Sequence, residues 1–156
     1  MNVTYIAKLS DAYHLPRFEP HVTVLGGMRT PEASEMRGLA GSLAPFRVRL
    51  AREVEYLDEY FRCLFLRALQ TAGLMETFSK ACELFGYEGE PYFPHLSLAY
   101  GELPVKTKHE MIRELGEIPE IEFEVRAICL VQASTETSVS SWKVIERFLD
   151  GPSFGR

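Results

Sequence analysis

The sequence predicts an α+β fold, with mixed or antiparallel sheets and helices packed on their outer faces. Three observations carry that prediction. Apolar residues recur at helical spacing in four stretches, six others read as short strands, and the strands both alternate with helices and return as hairpins, in the order αβαββαβαββ. With 156 residues, 46% of them hydrophobic and 25% charged, the chain has the size and composition of one packed domain, residues 1–156.

Tyr5, Ile6, Leu9 and Tyr13 lie at helical spacing, and the segment stops before Pro16. Pro20–Leu25 reads as a strand opened by proline and closed by Gly26-Gly27. Thr30 as N-cap and Pro31 at the first helical position start a second helix, which runs through Met36 and Leu39 to Leu43. Phe46, Val48 and Leu50 alternate with Arg47 and Arg49, the mark of a half-exposed strand continuing toward Tyr56. Asp58-Glu59 turns the chain, and Tyr60–Ala68 returns as the second strand of a hairpin. Leu74, Phe78, Ala81, Cys82 and Phe85 form a helical stripe stopped at Gly86. Pro94–Tyr100 is an apolar strand closed by Gly101, and a polar helix follows from Lys106 to Leu115. Ile121–Gln132 and Trp142–Leu149 are the last strands, joined by a flexible Ser/Thr-rich loop at Ser134–Ser141.

The net charge of −5 disfavours a protein that grips long duplex DNA or RNA by neutralising phosphates. No apolar run approaches the roughly 18 residues of a membrane span, and no secretory signal opens the chain. Cys63, Cys82 and Cys129 are odd in number, widely spaced and without a CxxC pair, so they read as reduced core thiols of a cytoplasmic protein. They support neither a zinc site nor a disulfide framework.

The feature that carries chemistry is a short internal repeat. Phe18-Glu-Pro-His21-Val-Thr23-Val and Tyr92-Phe-Pro-His95-Leu-Ser97-Leu share one pattern: aromatic, proline, histidine, apolar, hydroxyl, apolar. A single histidine on an apolar strand is most often structural. Chance would set a given histidine in Pro-His-apolar-Ser/Thr-apolar on the order of once in a thousand, yet two of the four histidines sit there. His14 and His109 lack the context and read as surface residues.

In a strand, residues i and i+2 share a face. His21 with Thr23, and His95 with Ser97, each present an imidazole and a hydroxyl to one side, while Val22, Val24, Leu96 and Leu98 anchor the other side in the core. An approximate twofold axis would bring both pairs around one cleft, a constellation suited to a phosphodiester. One imidazole accepts a proton from water, the other protonates the departing alkoxide, and the hydroxyls donate to the non-bridging oxygens. This chemistry needs no metal and no cofactor, and the His-x-Thr and His-x-Ser spacings differ from usual zinc patterns.

These residues resemble the two-histidine phosphoesterases, whose signature is a pair of His-x-Thr/Ser motifs flanked by apolar residues. Phe18–Gly27 and Tyr92–Gly101 look most like the cyclic phosphodiesterase branch, which opens 2′,3′-cyclic nucleotides and ADP-ribose 1″,2″-cyclic phosphate. The resemblance covers nearly the whole chain, including Tyr100 and Trp142. The RNA 2′,3′-cyclic phosphodiesterase branch more often carries arginine at the Tyr100 position. The resemblance implies a bilobal fold: two pseudo-symmetric antiparallel sheets, outer helices and a central cleft. It implies catalytic His21 and His95, phosphate-binding Thr23 and Ser97, and Tyr100 as a substrate contact, with His95 as the base and His21 as the acid. Family members usually begin with a strand before the first helix. Here the chain opens in what reads as that helix, so one sheet is expected to lack its N-terminal strand.

The leading expectation is a metal-independent cyclic phosphodiesterase acting on a small cyclic nucleotide. The alternatives are processing of RNA ends, as in the 2′-5′ RNA ligase-like branch, and a nucleotide-binding module without turnover. Neither duplex DNA nor a membrane is an expected partner, and an exposed sheet edge would offer a dimerisation site.

Overall fold

A computed structural model of the chain describes residues 3–134 and 136–149. It is an α+β fold of four helices and two curled antiparallel sheets. The helices are α1 (Val3–Tyr13), α2 (Ala33–Gly41), α3 (Ala72–Phe85) and α4 (Val105–Leu115). The strands are β1 (Phe46–Glu55), β2 (Leu64–Ala68), β3 (His95–Ala99), β4 (Ile121–Val125), β5 (Ala127–Gln132) and β6 (Lys143–Leu149). One sheet has the order β3-β2-β1-β4; the other pairs β5 with β6.

The four-stranded sheet buries one face. Val48, Leu50, Leu64, Leu66, Leu96 and Leu98 pack there with Leu9 of α1 and with Met111 and Leu115 of α4. Alternation explains why Arg47 and Arg49 point away, where they pair with Glu122 and Glu120 of β4 and its approach. Helix α4 also buries Lys108 at 1% exposure, its ammonium donating to the Leu57 carbonyl at 2.8 Å. A smaller core joins α2 to the two-stranded sheet through Met36, Ala40 and Phe148. Helix α3 ends where Gly86 takes the left-handed conformation, φ 61°, which glycine adopts without steric cost.

Several boundaries differ from expectation. Pro20–Leu25 is not a ladder strand: Val22 alone bridges to Leu96. Helix α2 starts at Ala33 with Glu32 as its cap, because Glu35 reaches back to the Glu32 amide at 2.8 Å and completes a capping box. Tyr60–Arg62 forms a 3-10 turn, so the returning strand begins only at Leu64. The stretch 121–132 divides at Arg126, since Val125 pairs with Phe46, the first residue of β1, and the chain then pairs with β6 instead. The Ser/Thr-rich loop holds a second 3-10 turn, Val139–Ser141; Thr135 lies outside the described residues. Among the described residues no helix is long and apolar enough to cross a membrane.

Candidate active site

The antiparallel bridge between Val22 and Leu96 joins the two repeated motifs. Residues flanking a bridged antiparallel pair face one another. The register therefore sets His21 opposite Ser97 and Thr23 opposite His95, all four on one face. Leu96 is buried in the core with Val22 packed against that core, so the anchoring side is the opposite one. The bridged pair sits on the approximate twofold axis that relates the motifs.

The two imidazoles are held alike. His21 Nδ1 lies 2.7 Å from the Glu19 carbonyl, and His95 Nδ1 lies 2.8 Å from the Phe93 carbonyl. A carbonyl only accepts, so each Nδ1 carries a proton and each neutral ring presents an unprotonated Nε2. Each ring is thereby fixed by the backbone two residues earlier, with its second nitrogen turned away from that carbonyl.

The surroundings of the two rings differ. His21 and Thr23 are exposed, His95 is half-buried and Ser97 is 4% exposed. Burial holds the His95 pKa below its ordinary value, and the charges of Arg62 and His21 act in the same direction against the Phe93 hydrogen bond. Ser97 Oγ donates to the Phe61 carbonyl at 3.2 Å. The Tyr92 hydroxyl donates to the Thr23 carbonyl at 2.8 Å, so the second motif clamps the backbone of the first. The Tyr92 ring stacks on Phe78 with centroids 4.2 Å apart.

Tyr100 is 3% exposed, its hydroxyl 3.4 Å from His21 Nε2. Phe18 stacks on its ring at 4.0 Å, and Phe61, Tyr60 and Trp142 complete an aromatic cluster. Burial pushes the Tyr100 phenol up to about 12. The tyrosine thus touches the histidine through its hydroxyl, while Phe18 occupies one face of its ring.

The structure brings His21, Thr23, His95 and Ser97 together with Tyr100 beside them. His14 and His109 are exposed, and His109 Nε2 meets the Tyr56 hydroxyl at 2.9 Å. Of the three free thiols Cys63 is buried and Cys82 half-buried, but Cys129 is exposed and is not a core residue, because β5 directs Ile128 and Leu130 inward instead. Among the described residues no group of three or more His, Cys, Asp or Glu side chains could hold a metal ion.

Sequence reasoning missed three residues here. Tyr92 could have been found from its aromatic place in the repeat. Arg62 and Arg67 could not, since only the β2–β3 register sets Arg67 opposite His95.

A bridged segment and a strand meet antiparallel, each carrying a histidine with a hydroxyl two residues on, the pattern of the two-histidine phosphoesterases. Residues 4–137 match the 2′-5′ RNA ligase superfamily, and the chain belongs to that family of two-histidine phosphoesterases. A cyclic phosphodiesterase of Arabidopsis thaliana is 27% identical over 139 residues, covering 83% of this chain and 76% of that protein. The fold is similar to the crystal structure of TT0787 of Thermus thermophilus, with a TM-score of 0.57 and 20% identity over 95% of this chain and 90% of that one.

Proposed function

We propose that this chain hydrolyses the cyclic phosphodiester of a small nucleotide, a 2′,3′-cyclic nucleotide or ADP-ribose 1″,2″-cyclic phosphate, without a metal ion. Family membership and the relative named cyclic phosphodiesterase support phosphoesterase activity on such esters. The observation that carries the mechanism is the mirrored tethering of both Nδ1 atoms across the Val22–Leu96 bridge. His95 Nε2 takes a proton from water as the water oxygen bonds to phosphorus. His21, entering protonated, gives its Nε2 proton to the sugar oxygen as the ring P–O bond breaks. Thr23 and Ser97 donate to the non-bridging oxygens, Ser97 by turning from the Phe61 carbonyl. Tyr100 positions the resting His21 through its hydroxyl, which gives way to the sugar oxygen at Nε2 during the reaction, and borders the substrate. The enzyme would work in the cytoplasm, where its free thiols stay reduced.

The test is chromatographic product formation from nucleoside 2′,3′-cyclic phosphates, with and without EDTA. Turnover unaffected by chelator is expected. Binding without turnover, or a rate lost in EDTA and restored by zinc or manganese, would overturn the proposal.

A further inference from the structure

Two guanidinium groups border the site on the His95 side. Arg67 is the cross-strand partner of His95, so the two side chains rise from the same face of the sheet. The Arg67 guanidinium lies over the Phe93 ring at 4.6 Å, and Arg62, from the 3-10 turn, lies over the same ring at 5.3 Å. Phe93 precedes His95 by two residues and shares its face. The Phe93 ring stands 5.4 Å from the His95 ring, so the guanidiniums lie against the neighbour of His95 on the side away from Ser97.

Each arginine is oriented by a carboxylate without being used up. Glu55 takes Arg67 Nε at 2.6 Å, while Glu59 takes Arg62 Nε and Nη2 at 2.6 and 2.8 Å. Among the described residues, both terminal nitrogens of Arg67 and Nη1 of Arg62 have no acceptor. Both side chains are partly exposed. Stacked, carboxylate-braced guanidiniums with free outer N–H groups are a pre-organised donor set for a phosphate. In the proposed mechanism the cyclic phosphate sits between the two imidazoles, on the other side of His95 from Phe93 and these guanidiniums.

We infer that Arg62 and Arg67 form a second phosphate subsite, which recognises a phosphate on the 5′ side of the nucleotide whose cyclic phosphate is opened. This rests on the cyclic phosphodiesterase reading. A 5′-monoester and the 5′-diester of an RNA end or of a pyrophosphate present the same charged oxygens. The subsite favours substrates that carry two phosphates over bare cyclic nucleosides.

The test reads binding, so it does not depend on turnover. Calorimetry compares adenosine 2′-monophosphate with adenosine 2′,5′-bisphosphate, and with a dinucleotide that carries an internal diester 5′ to its 2′-phosphate. At least one doubly phosphorylated ligand should bind roughly 10- to 100-fold more tightly than the monophosphate. That gap should shrink in both Arg67→Ala and Arg62→Ala, with affinity for the monophosphate little changed in Arg67→Ala and circular dichroism melts confirming the fold. Whichever ligand shows the gap identifies the source of the second phosphate. Equal affinity for all three ligands, or a gap that survives both substitutions, overturns the subsite. Failure to turn over cyclic nucleotides despite a gap that depends on the arginines would overturn the enzymatic reading alone.

Discussion

Replacing Tyr92 by Phe removes one oxygen and the hydrogen bond from its hydroxyl to the Thr23 carbonyl, 2.8 Å long, while leaving the ring stacked on Phe78. A neutral hydrogen bond contributes about 0.5–1.5 kcal/mol net. Thr23 is exposed, so water can re-solvate its carbonyl and no buried acceptor is stranded. At about 2–4 °C per kcal/mol for a chain of this size, the melting temperature should fall by roughly 1–6 °C. The effect on catalysis should be larger than that suggests, because Tyr92 is a side-chain clamp between the motifs and Thr23 shares a face with both histidines. A misplacement near 1 Å costs about 10²-fold in rate. The expected outcome is a kcat lower by roughly 10- to 10²-fold for a 2′,3′-cyclic nucleotide. The same change in a Thr23→Ala background should cost much less, since the group being positioned is gone. Full kcat in the single variant, or equal losses in the two backgrounds, would show that the clamp stabilises the fold without serving the chemistry.

The remaining predictions concern the proton transfers and the fold. His21→Ala and His95→Ala should each lower kcat by about 10²–10⁴-fold; near-normal turnover in either would end the paired mechanism. The acid limb of kcat/KM against pH should lie below 6.5, the ordinary value from which His95 is lowered. Arg62→Gln should move that limb to higher pH and Glu59→Gln to lower pH, following the opposite signs of the two charges; no movement in either variant would remove His95 from the role of base. The same depression has a sign for stability: the unfolded chain binds this proton more readily, so His95 destabilises the fold as pH drops from 6.5 toward its lowered native value. Denaturant titrations of the wild type and His95→Gln across that window should diverge. Leu98→Ala, at a fully buried position, should cost about 2–5 kcal/mol in the same titrations at neutral pH; a cost near zero would mean that this core position is not packed as described.

Local chemistry made the repeat and several helices legible, because their signals are carried by neighbouring residues. Gly86 ends α3 by its own left-handed backbone, and Pro-His-x-hydroxyl is read within five positions. What was not legible depends on partners far along the chain. The first motif has strand-forming residues, yet Pro20 lacks an N–H, the Glu19 carbonyl faces His21 Nδ1 and the Thr23 carbonyl takes the Tyr92 hydroxyl. Pro20 has no donor for a ladder, and a single bridge, Val22 to Leu96, remains. Val125 to Ala127 is equally ambiguous in sequence, since only the start of β1 at Phe46 decides where one sheet ends. Thr30 is a good cap by type, but the Glu32–Glu35 box, braced by the bidentate Arg29–Glu35 pair, prevails over it. Arg67 beside His95 is a matter of register, and no local pattern announces it.

A symmetric pair of histidines faces a difficulty that symmetry cannot solve: the proposed hydrolysis needs one ring neutral and the other protonated at the same moment. Backbone tethering of Nδ1 treats both rings alike and so supplies geometry without assigning roles. The proposed assignment rests on what breaks the symmetry. On one side the second motif is a ladder strand, with His95 half-buried, Ser97 enclosed and Arg62 close enough to disfavour another positive charge. On the other the first motif is a single bridged residue, with its histidine open to solvent and the Tyr100 hydroxyl at its Nε2. Burial penalises the charged imidazole, so the proposed mechanism gives the neutral, proton-accepting role to His95 and leaves the acid role to His21. It follows that exchanging environments should matter more than exchanging residues. Relieving the charge at Arg62 should narrow the pH range of activity from its acid side, whereas a substitution that leaves the burial of His95 and its charged neighbours intact should leave that limb where it is.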